Sequence, residues 1–172
     1  MPSFARTFGF PSYSGSLALA LYNFSAFLGT VFHGWLVDRL PVFVDLALMT
    51  FVSAVAIFLF WGLGTSQAMF YVFAVLWGLS GGAYNASWVG YANAIQAHGI
   101  DVNVPFFVSL MVTSKGVASI FSGPLSEGLL KVRLGPGAIS AYASEYGALI
   151  IFTGICSVLG ASACIGRLMQ KI

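Results

Sequence analysis

Apolar positions in this chain run rather than alternate. Five stretches approach or exceed the roughly 20 residues a helix needs to cross a bilayer core. They are roughly Leu17–Val37, Val42–Leu63, Ala68–Ala92, Phe106–Leu130 and Gly147–Leu168. The pattern predicts an all-α membrane protein of five transmembrane helices, in one domain over residues 1–172. The breaks between runs are short: Asp38–Pro41, then Gly64–Gln67, then the polar turn His98–Val104. Short turns make consecutive spans antiparallel neighbours. Pro105 opens the fourth run at a place where proline suits a helix start. Only Lys131–Glu145 is long, with Gly135-Pro136-Gly137 as its breaker.

Polar residues inside such runs are costly in hydrocarbon, so their spacing is informative. In the first span Asn23, Thr30 and His33 follow a helical spacing with Ala26 and Val37. In the third, Ser80, Tyr84, Ser87 and Tyr91 make a second stripe, with Asn85 beside it. In the fourth, Lys115, Ser119, Ser122 and Ser126 make a third, with Glu127 near its far end. The second span carries little that is polar beyond Asp45, Thr50 and Ser53, and reads as a peripheral, lipid-facing helix. Three striped helices suggest a bundle around a wet cavity, with Asn23, Thr30, His33, Tyr84, Asn85, Lys115 and Ser119 as its candidate lining. The alternative is that the stripes are hydrogen-bonding glue between helices. Lys115 reads either as a pathway cation or as a side chain snorkelling to the interface. Gly78, Gly81 and Gly82 on the third span, and Gly116 and Gly123 on the fourth, offer close helix contacts, and Pro124 invites a kink.

Composition agrees with the pattern. The chain is 59% hydrophobic and 7% charged, against about 25% charged in a soluble domain. A net charge of +2 gives no reason to expect nucleic acid. Cys156 and Cys164 lie eight residues apart, about 12 Å along a helix, too far for a disulfide. The two histidines and two cysteines lack metal-ligand spacing, and no nucleotide-binding glycine loop is present, so no cofactor is expected. Loop charges do not orient the spans: Arg6, Lys131 and Arg133 fall on one side, Arg39, Arg167 and Lys171 on the other. Met1–Ser16 has no signal-like apolar region and reads as the loop after a missing helix. Five spans without a leader read as a fragment or a truncated gene model.

The first span ends in Gly34-Trp35-Leu36-Val37-Asp38-Arg39. This resembles the G-x-L-x-D-R motif of the major facilitator superfamily. Phe8-Gly9-Phe10 to Gly15, Leu19–Asn23 and Gly29 look like the end of the seventh helix and the eighth of its fungal monocarboxylate-permease-like members. Lys115-Gly116 with Ser122–Ser126 looks like their eleventh. The resemblance covers essentially the whole chain and implies helices eight to twelve of a twelve-helix fold. It implies alternating-access transport of a small solute, a monocarboxylate or similar organic anion with a proton, at the plasma membrane with a cytoplasmic C-terminus. The partners it implies are the bilayer, the solute and a missing N-terminal half. Gly34, Asp38 and Arg39 would form a gating clasp. The family's basic residue in the eighth helix is absent; Thr30 stands there. The alternative is an inactive fragment, or a subunit needing a separate N-terminal half. Catalysis is not expected. Gly78-Leu79-Ser80-Gly81 fits the nucleophile motif of intramembrane serine proteases, but His98 falls in a turn rather than in a facing helix.

Overall fold

The computed structural model describes residues 2–132 and 140–160, and these are helical throughout except at the connections. In chain order they are α1 (Pro2–Thr7), α2 (Ser14–Arg39), α3 (Val42–Val55) running on as a π-helical stretch Ala56–Trp61, and α4 (Gln67–Trp77). A π-helical stretch Gly78–Gly82 and a 3-10 turn Tyr84–Ser87 then lead to α5 (Trp88–Gln96), α6 (Val104–Leu130), a 3-10 turn Ser140–Ala143 and α7 (Gly147–Gly160).

Among the described residues three helices are long and apolar enough to cross a membrane, where five were expected over the whole chain: Ser14–Arg39, Val44–Trp61 and Val104–Leu130. The third expected span is not one helix. Three glycines in the five residues Gly78–Gly82 each weaken a helix by about 1 kcal/mol relative to alanine. The Ser80 hydroxyl also bonds back to the Leu76 carbonyl at 2.8 Å, an arrangement that bends helices. The α-helix therefore gives way to π and 3-10 turns before α5 resumes. The fifth span is described only to Gly160, and its expected end at Leu168 lies outside the described residues, as do Gly135-Pro136-Gly137, Cys164, Arg167 and Lys171.

Local signals set several helix ends. Ser66 accepts from the Met69 amide at 3.3 Å and Asn103 from the Phe106 amide at 3.1 Å, which caps α4 and α6. Pro105 sits in the first turn of α6. After α5 the chain reverses through Gly99 at φ +80°, a backbone conformation glycine adopts readily.

Helix α2 is the centre of the packing. Its Tyr22, Ser25, Ala26 and Gly29 lie against Gly78, Leu79, Gly82 and Ala83. A Cβ on Gly29 would stand 2.6 Å from the Leu79 carbonyl oxygen, and one on Gly82 would stand 2.8 Å from the Ala26 Cβ. Side-chain-free positions are what permit this approach. At one end of the bundle an aromatic cluster forms around buried Phe4, with Phe70 at 5.4 Å and Tyr146 at 5.1 Å between ring centroids. The N-terminal segment, expected as a loop, is thus a short helix held by a buried aromatic side chain. Aromatic pairs of this kind contribute about 0.5–1.5 kcal/mol beyond area burial.

Helix α3, expected to be peripheral and lipid-facing, exposes Val44, Leu48 and Phe51 but also buries one whole face. Asp45, Met49, Ser53, Ala56 and Ile57 are all buried. They recur at four, four, three and one residues, the spacing of one helix face. Its far end meets the turn before α7: the Tyr142 hydroxyl donates to the Phe58 carbonyl at 2.9 Å, and the ring lies over Gly62 where a Cβ would collide with it. Burial pushes the Tyr142 phenol above its ordinary value. Helix α6 is the opposite case, since none of its residues is buried.

Candidate functional site

The break at Gly78–Ser87 brings three polar side chains together in the interior. His33 from α2, Asp45 from the first turn of α3 and Ser87 from the 3-10 turn are all essentially inaccessible, at 0%, 1% and 0% exposed. The Ser87 hydroxyl donates to Asp45 Oδ2 at 2.6 Å. His33 Nδ1 lies 3.2 Å from Ser87 Oγ and 3.3 Å from Asp45 Oδ1. Because the serine proton is committed to the carboxylate, Ser87 Oγ is left to accept, and His33 Nδ1 is the donor that suits it. Asp45 Oδ1 is near Nδ1 without a well-directed hydrogen bond, and His33 Nε2 has no hydrogen-bond partner among the described residues.

A cavity of about 390 Å³ opens between α3, the π-helical stretch after α4, and α7. Thr50, Ser53, Ser80, Tyr84, Thr153 and Ser157 give it hydroxyls, and Leu46, Met49 and Trp77 give it apolar wall. Its volume falls in the range of small-molecule sites. Ser53 donates to Ser80 at 2.9 Å on its wall. Of the expected lining residues, only Tyr84 faces this cavity.

The other expected lining residues are dispersed. Asn23 and Thr30 are exposed and turn back onto the Leu19 and Ala26 carbonyls at 2.9 Å and 2.8 Å. His33, placed on the same stripe by spacing, is instead on the buried side of α2. Lys115 Nζ donates to Asn85 Oδ1 at 3.0 Å, which joins α6 to the 3-10 turn. Ser119 bonds the Lys115 carbonyl at 2.9 Å. Of the expected packing glycines, Gly78 and Gly82 contact α2 and Gly81 faces the Trp77 ring. Gly116 and Gly123 would meet nothing within 4 Å, and α6 continues as helix through Pro124.

At the α2–α3 turn, Asp38 lines a second cavity, of about 420 Å³, with Asn93 and His98. Arg39 lies over the Trp35 ring, 5.0 Å from its centroid. Among the described residues Asp38 and Arg39 make no ion pair with each other. A Cβ on Gly34, the first residue of the motif, would meet no other element within 4 Å. The serine of the protease-like motif, Ser80, bonds Ser53 and the Leu76 carbonyl, while His98 Nδ1 lies 2.7 Å from the Ala94 carbonyl.

Asp45 is the functional candidate that polarity counting missed. The signal was present in its spacing with Ser53, which places both on one face of α3. A carboxylate on an otherwise apolar helix also calls for an interior partner. No protein-family model, curated protein or solved structure matches this chain.

Proposed function

We propose that the chain is the C-terminal portion of a secondary transporter resembling the major facilitator superfamily, moving a small organic anion with a proton by alternating access. The observation that carries this reading is the break at Gly78–Ser87. Irregular backbone at membrane depth is tolerated where protein or a water-filled cavity surrounds it, and interrupted helices supply the midplane sites of many transporters. Here the interrupted segment carries Ser80, Tyr84, Asn85 and Ser87, and Asn85 holds the α6 cation Lys115.

In this reading Lys115 attracts the anion, which displaces Asn85 from the ammonium. The Asp38-Arg39 turn biases one of two arrangements of the helices, and an N-terminal half supplies the opposing wall. That half is either a second chain or sequence upstream of Met1. Two halves rocking about the site then expose it to each side in turn.

Uptake of radiolabelled short monocarboxylates into proteoliposomes tests this reading. The chain is assayed alone and joined to the in-frame sequence upstream of Met1. Saturable uptake driven by an inward proton gradient is expected in at least one form. Uptake no faster than in empty liposomes, in both forms and across the solute panel, overturns the transport reading.

A further inference from the structure

We infer that His33, Asp45 and Ser87 form a proton-binding site whose buried geometry is the proton-loaded one. With a neutral imidazole and an ionised carboxylate the cluster carries −1 and is sealed from water. An uncompensated buried ion costs several kcal/mol even after relaxation. Among the described residues nothing nearby cancels it. The elements packed around the cluster are α3, α4, the broken segment and α5, with α7 behind α3. They carry no acidic or basic side chain other than Asp45. Their remaining titratable groups are Tyr71, Tyr84, Tyr91 and Cys156. On α2 itself, Asp38 lines the second cavity with His98, and Arg39 is stacked on Trp35. Lys115 is engaged with Asn85.

One proton removes the imbalance. It adds to the lone pair of His33 Nε2, forming an N–H bond and an imidazolium, and the cluster passes from −1 to 0. If it resides on Asp45 instead, the count is the same. Release reverses the step, to water. Because His33 Nε2 is buried and has no partner among the described residues, loading and unloading require water to reach it, so α2 and the 3-10 turn must separate. Protonation thereby favours the closed packing and deprotonation the opened one. Ser87 sits two residues from Asn85 on the same turn, so the packing that the proton controls also positions the contact to Lys115.

The link to transport rests on the proposed function; the proton site itself does not. Two measurements keep them apart. In the first, 15N-histidine spectra are recorded from the chain in lipid bilayers at neutral pH, with His98→Gln leaving His33 as the only histidine. Either imidazolium signals that Asp45→Asn converts to neutral imidazole, or a protonated Asp45 carboxyl seen by 13C, is expected. A neutral His33 together with an ionised Asp45 overturns the proton site, whatever the chain transports. In the second, Asp45→Asn and Ser87→Ala are reconstituted in the form that transports. A gradient of one pH unit should drive about tenfold accumulation in the unaltered carrier at one proton per solute. Asp45→Asn should fall to no accumulation while retaining solute counterflow, and Ser87→Ala should keep both activities with an altered pH profile. Retained tenfold accumulation in Asp45→Asn overturns the coupling role. Absence of transport by the unaltered protein overturns the proposed function and leaves the spectra to decide the proton site.

Discussion

At Gly29 α2 comes close to another backbone, and alanine there tests the central packing. A Cβ at this position would stand 2.6 Å from the Leu79 carbonyl oxygen, 2.8 Å from the Ala83 Cβ and 3.0 Å from the Leu79 Cα. Ordinary contact begins near 3.4 Å, so α2 and the broken segment must part by about 0.8 Å (3.4 less 2.6). None of the opposing atoms is the end of a flexible side chain that could turn away. Forcing an extra carbon into such a contact costs about 1–3 kcal/mol. Gly116→Ala is the matched control, since it lies mid-helix and meets nothing within 4 Å. The gain in helix propensity, up to about 1 kcal/mol, is common to both variants and cancels in their difference. Equilibrium unfolding in mixed lipid–detergent micelles should therefore show Gly29→Ala less stable than Gly116→Ala by about 1–3 kcal/mol. A difference below about 0.5 kcal/mol, the range of neutral surface changes, would refute the packing argument.

Three further variants test the packing and the proposed transport. Tyr142→Phe removes the bond to the Phe58 carbonyl and should cost about 0.6 kcal/mol, the mean for such bonds in bacteriorhodopsin, in the same unfolding assay. Because burial raises the Tyr142 phenol, its folded state holds the proton more tightly; the stability this contributes is complete below the ordinary phenol range near pH 10 and is lost as pH rises beyond it. The unaltered chain should thus lose more thermal stability between pH 9 and pH 11 than Tyr142→Phe. If the transport reading holds, Lys115→Gln should lower anion uptake at least tenfold with little change in unfolding, since among the described residues the exposed ammonium bonds Asn85 alone; unchanged uptake would remove Lys115 from the pathway. Asp38→Asn should shift the balance between inward- and outward-open forms, read as altered labelling of engineered cysteines on the two sides, and unchanged labelling and transport would count against a clasp at that turn.

The helical character of the chain was legible because long apolar runs have few alternatives, and the Pro105 start signal is local. The break in the third span was harder to read. Gly78, Gly81 and Gly82 predict close packing and a broken helix equally well, and only the presence of α2 against them selects a combination of both. Spacing also grouped Asn23 and Thr30 with His33, yet their side chains part. A hydroxyl or amide one turn from a carbonyl satisfies itself on its own helix, whereas the imidazole needs partners from elsewhere. Those partners, Asp45 and Ser87, lie 12 and 54 residues away in sequence, beyond the reach of any periodicity. The exposure of α6 was not legible at all, because its apolar and polar residues would suit a lipid face, a cavity wall or a second protein surface.

The interrupted third span also bears on the order in which the chain must be made. Backbone groups released from a regular helix cost several kcal/mol each if they face hydrocarbon. Their shelter is the face of α2 formed by Tyr22, Ser25, Ala26 and Gly29, and that face is synthesised about fifty residues earlier. The docking surface is therefore already in place when Gly78–Ser87 leaves the ribosome, and the segment can bend against protein rather than against lipid. A permuted gene that delivered Gln67–Gln96 before Ser14–Arg39 would reverse that sequence of events while keeping the facing surfaces of the two segments. Synthesis direction is in this sense part of the information that the fold uses.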